Sequence, residues 1–140
     1  KNYVGDRYVL IGDAARFVDP IFSSGVSVAM HSAKFASKDI IRAISKGNFK
    51  RESFKTYESI IKRGCDNWYR FIMIYYRLRV LFTYFIEQPE YRVDIIKLLQ
   101  GDVYGVDVPI VLDKMEKVIK EVEGNPKHVW HDLLHEFNTT

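Results

Sequence analysis

The apolar positions near the start of the chain predict one short strand followed by a loop. Four consecutive apolar residues, Tyr8 to Ile11, include β-branched and aromatic side chains and are typical of a short buried strand. The predicted strand runs from Arg7 to Gly12 and is followed directly by Asp13. Residues 14–24 contain a proline and show no helical period, so they are predicted to form a loop.

A long helix is predicted to begin near Ser24 or Gly25 and to end at Gly47. The apolar positions of this segment recur in steps of three and four residues, as on one face of a helix. They are mostly small: Ala29, Ala33, Ala36, Ile40 and Ala43. We expect this face to pack closely against a neighbouring element.

Helices are also predicted for most of the remaining chain. A second apolar stripe at helical spacing extends from about residue 50 to residue 86 and stops before a proline. Three shorter helices are predicted over residues 90–100, 110–123 and 126–137. Gly101 and Gly124 would close the first two, and Asn125 would cap the third, with Pro126 at its first position.

The predicted fold class is mainly α, with one or two short strands. A lone buried strand would leave backbone N–H and C=O groups unpaired on both sides, which costs free energy. A second strand over residues 103–108 is a weak candidate partner, because Gly105 and polar residues interrupt it. We therefore expect this chain to be the C-terminal part of a longer protein that supplies the missing strands.

Composition indicates a globular protein rather than a disordered, collagen-like or membrane-spanning one. The 140 residues are 47% hydrophobic and 28% charged, and no apolar stretch reaches the roughly 18 residues that a membrane span needs. The start of the chain lacks the apolar core of a secretion signal. The one cysteine, Cys65, excludes an intramolecular disulfide, so a cytoplasmic location is predicted.

The charge distribution is uneven without indicating nucleic acid. The net charge is +3, but residues 34–79 contain 12 basic and 4 acidic side chains. Four of the basic ones, Lys34, Lys38, Arg42 and Lys46, recur at nearly four-residue steps. That spacing favours the solvated face of an amphipathic helix over a nucleic-acid surface.

Residues 8–26 carry the candidate chemistry. A strand would present the Asp13 carboxylate at its carboxyl end, where open α/β sheets place ligands, and Gly12, Ala14 and Ala15 would leave room around it. A Ser-Ser-Gly sequence then starts the long helix, whose first amides attract negative charge. Together these features suit a ligand with hydroxyl groups at one end and a charge-accepting ring at the other.

This segment resembles the second FAD-binding motif of the class A flavoprotein monooxygenase superfamily, Gly-Asp-Ala-Ala followed by a proline and a glycine-containing helix start. Within that superfamily, Phe-Val-Asp-Pro-Ile-Phe-Ser-Ser-Gly-Val at residues 17–26 is most similar to the flavin-dependent halogenases. Arg16, where many aromatic hydroxylases have histidine, and Ser27, where they usually have a second glycine, favour a halogenase. Three alternatives stay open: a hydroxylase, a geranylgeranyl-reductase-like flavoprotein, and a helical interaction module without activity.

The resemblance implies roles for individual residues. Asp13 would accept hydrogen bonds from the ribityl hydroxyls of FAD, and the amides of the Ser-Ser-Gly-Val segment would face the flavin ring. The implied FAD-binding residues are Gly12, Asp13, Ala14, Pro20, Ser24, Gly25 and Val26. A halide would lie beside Ser23, Ser24 and Gly25.

The resemblance also implies a reaction and its partners. In the family, reduced flavin and oxygen oxidise a halide to hypohalous acid, and a lysine delivers the halogen to a small-molecule substrate. A partner flavin reductase would supply the reduced flavin. The family's first FAD motif, Gly-x-Gly-x-x-Gly, and the delivering lysine are expected upstream of Lys1, so we expect the isolated chain to be inactive and to hold FAD weakly. Residues 1–47 would belong to the FAD-binding domain and residues 48–140 to a helical C-terminal region.

Other residues are assigned mainly to packing. The aromatic stripe between Trp68 and Phe85 is predicted to be core, with substrate contact as the alternative. Tyr69, Tyr76 and Tyr84 lie off this stripe, which makes a homodimer through exposed aromatic side chains a candidate. His128, His131 and His135 share a spacing that could suit zinc, but no acidic or cysteine partner completes it, and no metal is predicted. His31 and Cys65 are predicted to be packed rather than catalytic.

Overall fold

The computed structural model describes residues 2–78 and 81–132, and these are mainly helical with two short strands, as predicted. The chain forms two compact units, residues 1–69 and residues 70–140. The predicted division after residue 47 concerns flavin binding rather than packing, and it stays a prediction.

The first unit opens with a β-hairpin. Strand β1, Val4–Gly5, pairs antiparallel with strand β2, Tyr8–Val9, and Val4 lies opposite Val9. Arg7 lies in the turn with a φ of +64°, and its N–H donates to the Phe49 carbonyl at 2.8 Å. This hydrogen bond ties the turn to the segment that follows the long helix.

The predicted strand from Arg7 to Gly12 is wrong in its length and burial. Arg7 belongs to the hairpin turn and Gly12 begins a helix, so only two residues remain extended and paired. Tyr8 and Ile11 are 47% and 46% exposed. The strand's partner is β1, whereas residues 103–108 form no strand.

Two short helical turns occupy the segment that was predicted to be a loop. Helix α1 spans Gly12–Ala15 and packs against the long helix. A 3-10 helix spans Pro20–Phe22, and the Asp19 carboxylate caps it by accepting from the Ile21 N–H at 3.0 Å. Proline in the first turn favours this start, because its φ is already helical and its missing N–H needs no partner.

The long helix α2 spans Gly25–Lys46, as predicted, and ends at Gly47 with a φ of +59°. Its packing face differs from the predicted one, because Ala29, Ala33 and Ile40 are exposed. The buried positions are Val28, Ser32, Ala36, Asp39 and Ala43. Two polar side chains occupy this face because both are hydrogen-bonded to neighbouring segments, as described below.

Helix α3 spans Lys55–Leu78 and follows a 3-10 helix at Arg51–Phe54. It continues through Gly64, and the boundary between the two units falls within it. Its buried side chains in the first unit include Tyr57, Ile61, Cys65 and Trp68. The predicted apolar stripe is therefore core over this part of the helix.

The second unit contains helices α4, Leu81–Glu87, α5, Pro89–Leu99, and α6, Val108–Glu123. The latter two confirm the helices predicted over residues 90–100 and 110–123. The core includes Phe85, Ile95, Leu98, Leu112, Met115 and Ile119. Arg70 joins the start of this unit to α6, donating to Glu116 at 2.9 Å and to Asp113 at 2.5 Å.

The helix predicted over residues 126–137 does not begin at Pro126. Residues 126–130 form successive turns, and helical backbone starts at His131. The Asn125 side chain accepts from the Lys127 N–H at 3.1 Å, so it closes a local turn instead of capping a helix. The remainder of the predicted helix lies outside the described residues.

Among the described residues, no helix combines the length and the apolar character that crossing a membrane requires.

Candidate functional site

Gly12 lets the start of α1 lie against α2. Its φ of +55° belongs to the left-handed region, which favours glycine. A side chain there would place its Cβ 3.3 Å from the Cβ of Ala29. The Gly12 N–H donates to the Ser32 hydroxyl at 2.9 Å, so the turn is both closely packed and hydrogen-bonded to α2.

Asp13 and Ala14 follow on the exposed side of α1, whereas Ala15 is buried beneath them. Within residues 2–78 and 81–132, no hydrogen bond or ion pair engages the Asp13 carboxylate. An exposed carboxylate beside a glycine and an alanine can accept hydrogen bonds from a ligand without steric obstruction.

The loop between α1 and α2 ends at the two serines. Ser23 is exposed, has a φ of +52°, and donates its N–H to the Pro20 carbonyl at 2.7 Å. That amide is therefore already used within the loop. Ser24 is only 3% exposed, and among the described residues its hydroxyl has no hydrogen-bond partner.

Gly25 and Val26 form the first turn of α2. The Ser24 side chain stands at the N-cap position but makes no capping hydrogen bond, so it does not satisfy the first amides of the helix. Nothing lies within 4 Å of where a Cβ of Gly25 would be, and Val26 is 72% exposed. The helix start is thus open.

The structure brings the two halves of the motif to one region of the first unit. Gly12 contacts Ala29, which lies one helical turn beyond Gly25 on α2. One turn advances about 5.4 Å along a helix. The start of α1, with Asp13, therefore lies beside the first turns of α2.

Tyr57 on α3 and Ser32 on α2 hold the backbone before Asp13 by hydrogen bonds. The Tyr57 hydroxyl donates to the Leu10 carbonyl at 2.5 Å, and the Tyr57 N–H donates to the buried Asp39 carboxylate at 2.9 Å. Burial raises the pKa of Tyr57 to about 12, so its hydroxyl stays protonated as a donor. Ser32 adds the hydrogen bond to Gly12. Helical periodicity gave no signal for these contacts, because each joins segments far apart in sequence.

Arg16 fastens the far end of α1 to α3. Its guanidinium lies 3.4 Å from the Tyr3 hydroxyl and 3.2 Å from the Asp66 carboxylate. The hydrogen bond with Tyr3, aided by the Asp66 charge, raises the pKa of Arg16. The residue that distinguished this sequence from the hydroxylases is therefore also a structural link within the first unit.

The other candidate residues show packing contacts. Cys65 is buried, and burial raises the pKa of its thiol to about 11, which leaves it a poor nucleophile. The His31 ring contacts the Ser27 carbonyl at 2.9 Å. Trp68 packs against Phe22, with ring centroids 6.2 Å apart.

The remaining histidine and tyrosine candidates lie in exposed or irregular segments. His128 lies in a turn and His131 at the start of a helix, so the predicted common helical face is not formed, and His135 lies outside the described residues. In the described part of the chain, no three His, Cys, Asp or Glu side chains are grouped closely enough to hold a metal. Tyr69 and Tyr84 are exposed, and Tyr84 packs edge-on against Trp130. Tyr76 differs from the prediction, because it is only partly exposed and packs against Tyr75.

The sequence of this chain is similar to those of known proteins over most of its length. The family model described as tryptophan halogenase matches residues 1–85. The chain is 58% identical over 134 residues to the 1H-pyrrole-2-carbonyl-[peptidyl-carrier protein] chlorinase of Pseudomonas fluorescens, a match covering 96% of this chain and 30% of the relative. It is 37% identical over 101 residues to the corresponding brominase of Pseudoalteromonas luteoviolacea, covering 72% of this chain and 25% of that protein.

Among solved structures, the fold is similar to that of the flavin-dependent brominase Bmp2. The TM-score is 0.74 at 29% sequence identity, and the match covers 85% of this chain and 31% of the brominase. The chain thus spans about 30% of the length of the relatives that it matches.

Proposed function

This chain belongs to the tryptophan halogenase family, and we propose from this that it forms part of the FAD-binding and halide-binding site of a flavin-dependent halogenase. The observation that carries the proposal is the 58% identity with a chlorinase over nearly the whole of this chain. The second curated relative and the similar structure are also halogenases. They favour this function over a hydroxylase, a geranylgeranyl-reductase-like protein or an inactive helical module.

We propose that the substrate is a pyrrole-2-carbonyl group attached to a peptidyl-carrier protein. The two relatives described above carry this substrate in their names, one as a chlorinase and the other as a brominase. The higher identity is to the chlorinase, which supports chloride as the halide. A flavin reductase would serve as the partner that supplies reduced flavin.

The residues of this chain fit one end of FAD. The exposed Asp13 carboxylate would accept hydrogen bonds from the ribityl hydroxyls, with Gly12 and Ala14 leaving room for the chain of the cofactor. Pro20 and the open helix start at Gly25 and Val26 would border the ring. The buried Ser24 hydroxyl, which lacks a partner among the described residues, supports a ligand at this helix start.

When bound and reduced, the cofactor would supply two electrons to oxygen, which would take two further electrons from the halide and so oxidise it. This chain's own contribution is electrostatic and positional. The first amides of α2 would hold negative charge, a contribution of about 0.3–1 kcal/mol that rises to about 2 kcal/mol when the charge is partly buried. Ser23, Ser24 and Gly25 would border the halide, with the amide of Ser23 already donated to Pro20.

The test of the cofactor site is Asp13→Ala in the full-length protein. We expect FAD binding to weaken by about 1–3 kcal/mol, because the ribityl hydroxyls lose a charged acceptor. Fluorescence titration of FAD measures this change. Asp102→Ala removes an exposed aspartate from the second unit and is the matched control. Equal FAD affinity in wild type and Asp13→Ala would remove the role proposed for Asp13.

Activity is tested with the same full-length protein, a flavin reductase and a pyrrole-2-carbonyl-loaded carrier protein. We expect mass spectrometry to show one ring hydrogen replaced by chlorine, and more chlorinated than brominated product when both halides are present at equal concentration. Hydroxylated product instead would contradict the halogenase proposal.

We also propose an oligomeric state and a cellular location. The exposed Tyr69 and Tyr84 support a homodimer, which sedimentation of the full-length protein can test. The single unpaired Cys65 supports a cytoplasmic location.

A further inference from the structure

We propose that Ser32 and Tyr57 are positioning residues for the cofactor site, because they fix the backbone that leads into Asp13. The inference rests on the proposed function of Asp13 and extends it to two side chains on neighbouring helices. Neither side chain is itself among the residues assigned to FAD.

Ser32 holds the residue immediately before Asp13. Its side chain is buried, accepts the Gly12 N–H at 2.9 Å, and donates to the Ala29 carbonyl at 2.8 Å. Because the Ser32 hydroxyl takes part in one bond as acceptor and in the other as donor, the orientation of this side chain is fixed. The Gly12 amide is buried, so no solvent replaces this acceptor if it is removed.

Tyr57 holds the chain two residues further back. Its hydroxyl donates to the Leu10 carbonyl at 2.5 Å, while the Leu10 N–H donates to the Tyr3 carbonyl at 2.8 Å. The Tyr57 backbone is fixed in turn by the buried Asp39 carboxylate, which also pairs with Arg42. Leu10 is therefore bonded at both of its backbone groups.

The helix that carries Asp13 is too short to fix the position of this residue by itself. Helix α1 has only four residues, and a helix this short is unstable without external contacts. Its Gly12 also has the most permissive backbone of any residue type. The direction of the Asp13 carboxylate therefore depends on the bonds made by Leu10 and Gly12.

Ser32→Ala tests the first of these bonds, with Ser37→Ala as the matched control. Ser37 lies on the same helix and makes the same kind of bond, donating to the Lys34 carbonyl at 2.9 Å, but it is exposed, and the Gly12 N–H donates to Ser32 instead. In the full-length protein we expect FAD affinity to fall about tenfold in Ser32→Ala and to stay unchanged in Ser37→Ala. Ser32→Thr keeps the hydroxyl and is expected to restore most of the affinity.

A double-mutant cycle separates positioning from general stability. If Ser32 acts through Asp13, Ser32→Ala will weaken FAD binding in the wild-type background and have little further effect in Asp13→Ala. A residue that only stabilises the fold would give additive losses instead. Amide hydrogen exchange at Arg16, whose N–H donates to the Gly12 carbonyl at 3.1 Å, gives a readout without FAD, and we expect it to accelerate in Ser32→Ala only.

Tyr57→Phe tests the second bond by removing one hydroxyl and keeping the ring. Tyr69→Phe, an exposed tyrosine on the same helix, is its control. We expect a loss of FAD affinity of about five- to tenfold for Tyr57→Phe and none for Tyr69→Phe.

The results can separate a failure of this inference from a failure of the proposed function on which it rests. Wild-type protein that binds no FAD would overturn the proposed function, and the inference with it. Wild-type protein that binds FAD, together with Ser32→Ala and Tyr57→Phe variants that match their controls or add to Asp13→Ala, would overturn the inference alone.

Discussion

Gly12 and Gly25 are the same residue type at the starts of two adjacent helices, yet the structure requires glycine at only one of them. At Gly12 the left-handed φ of +55° and the 3.3 Å approach to Ala29 both oppose a side chain. At Gly25 the backbone shows no such conformation, and nothing lies within 4 Å of the Cβ position. Packing and backbone conformation therefore explain the glycine at position 12. They do not explain the glycine at position 25, where ligand binding is an alternative explanation.

Alanine at each position should separate these explanations. We expect Gly12→Ala to lower the free energy of unfolding by about 1–3 kcal/mol, because it adds strain and crowding. Gly25→Ala should change it by less than about 1 kcal/mol, since alanine favours a helix. The same Gly25→Ala change should weaken FAD binding if the ring passes this helix start. Urea denaturation and FAD titration of the full-length protein measure the two effects.

Gly47→Ala completes this comparison as a control for strain alone. Gly47 has a φ of +59° but open space around it, so its substitution adds backbone strain without a contact. The extra loss in Gly12→Ala over Gly47→Ala then measures the crowding against Ala29. Equal stability losses at Gly12 and Gly25 would contradict the structural distinction drawn here.

At the scale of the helices and strands, local signals located most ends correctly and failed where tertiary contacts decide. Gly47 ended α2 as predicted, because a left-handed residue satisfies the last carbonyls of a helix. Asn125 and Pro126 failed as a helix start, because the asparagine side chain closes its own turn. The apolar run at Tyr8 to Ile11 suggested a longer buried strand, but the hairpin turn shortens it.

The candidate site shows the same limit. The motif identified Asp13 and the start of α2 as neighbours, because residue types and spacing carried that information. Ser32, Asp39 and Tyr57 could not be found from periodicity, since their hydrogen bonds span 18 to 47 residues of sequence. Buried polar residues on a helix face are the one available signal, and they indicate only that a partner exists.

Arg70 gives a prediction at this scale, because it joins the second unit's part of α3 to α6 by ion pairs with Glu116 and Asp113. The hydrogen bond with Glu116, followed by that with Asp113, raises the pKa of Arg70. We expect Arg70→Met to lower the free energy of unfolding by about 1 kcal/mol in low salt, and by less in high salt, because partly exposed ion pairs are screened.

Urea midpoints at both salt concentrations check this prediction. Arg92→Met is the control, since Arg92 is exposed on α5 and the described residues offer it no ion pair. If Arg70→Met lowers the free energy of unfolding equally at both salt concentrations, Arg70 acts through its aliphatic stem rather than its charge.

At the scale of the whole molecule, the candidate site and its supporting contacts all belong to the first unit. Residues 10–57 supply the motif, the serine and tyrosine that hold it, and the helix start. The family model extends beyond them to residue 85 and therefore includes the whole of α3 and most of α4. The match to the chlorinase covers 96% of this chain and therefore extends into the second unit.

The residues proposed for FAD binding would contact only part of the cofactor. These residues would contact the ribityl and ring end, but the 140-residue sequence contains no Gly-x-Gly-x-x-Gly turn to hold the pyrophosphate. The match to the chlorinase and the brominase covers only about 30% of their lengths, which leaves room in those folds for the other contacts. Purified as 140 residues and mixed with FAD, the chain should lose the cofactor on gel filtration, whereas the flavin-dependent brominase Bmp2 should retain it. The absorbance spectrum of the protein peak decides the matter: stoichiometric flavin on the 140-residue chain would show that the surface around Asp13 and Gly25 holds FAD without a pyrophosphate cradle.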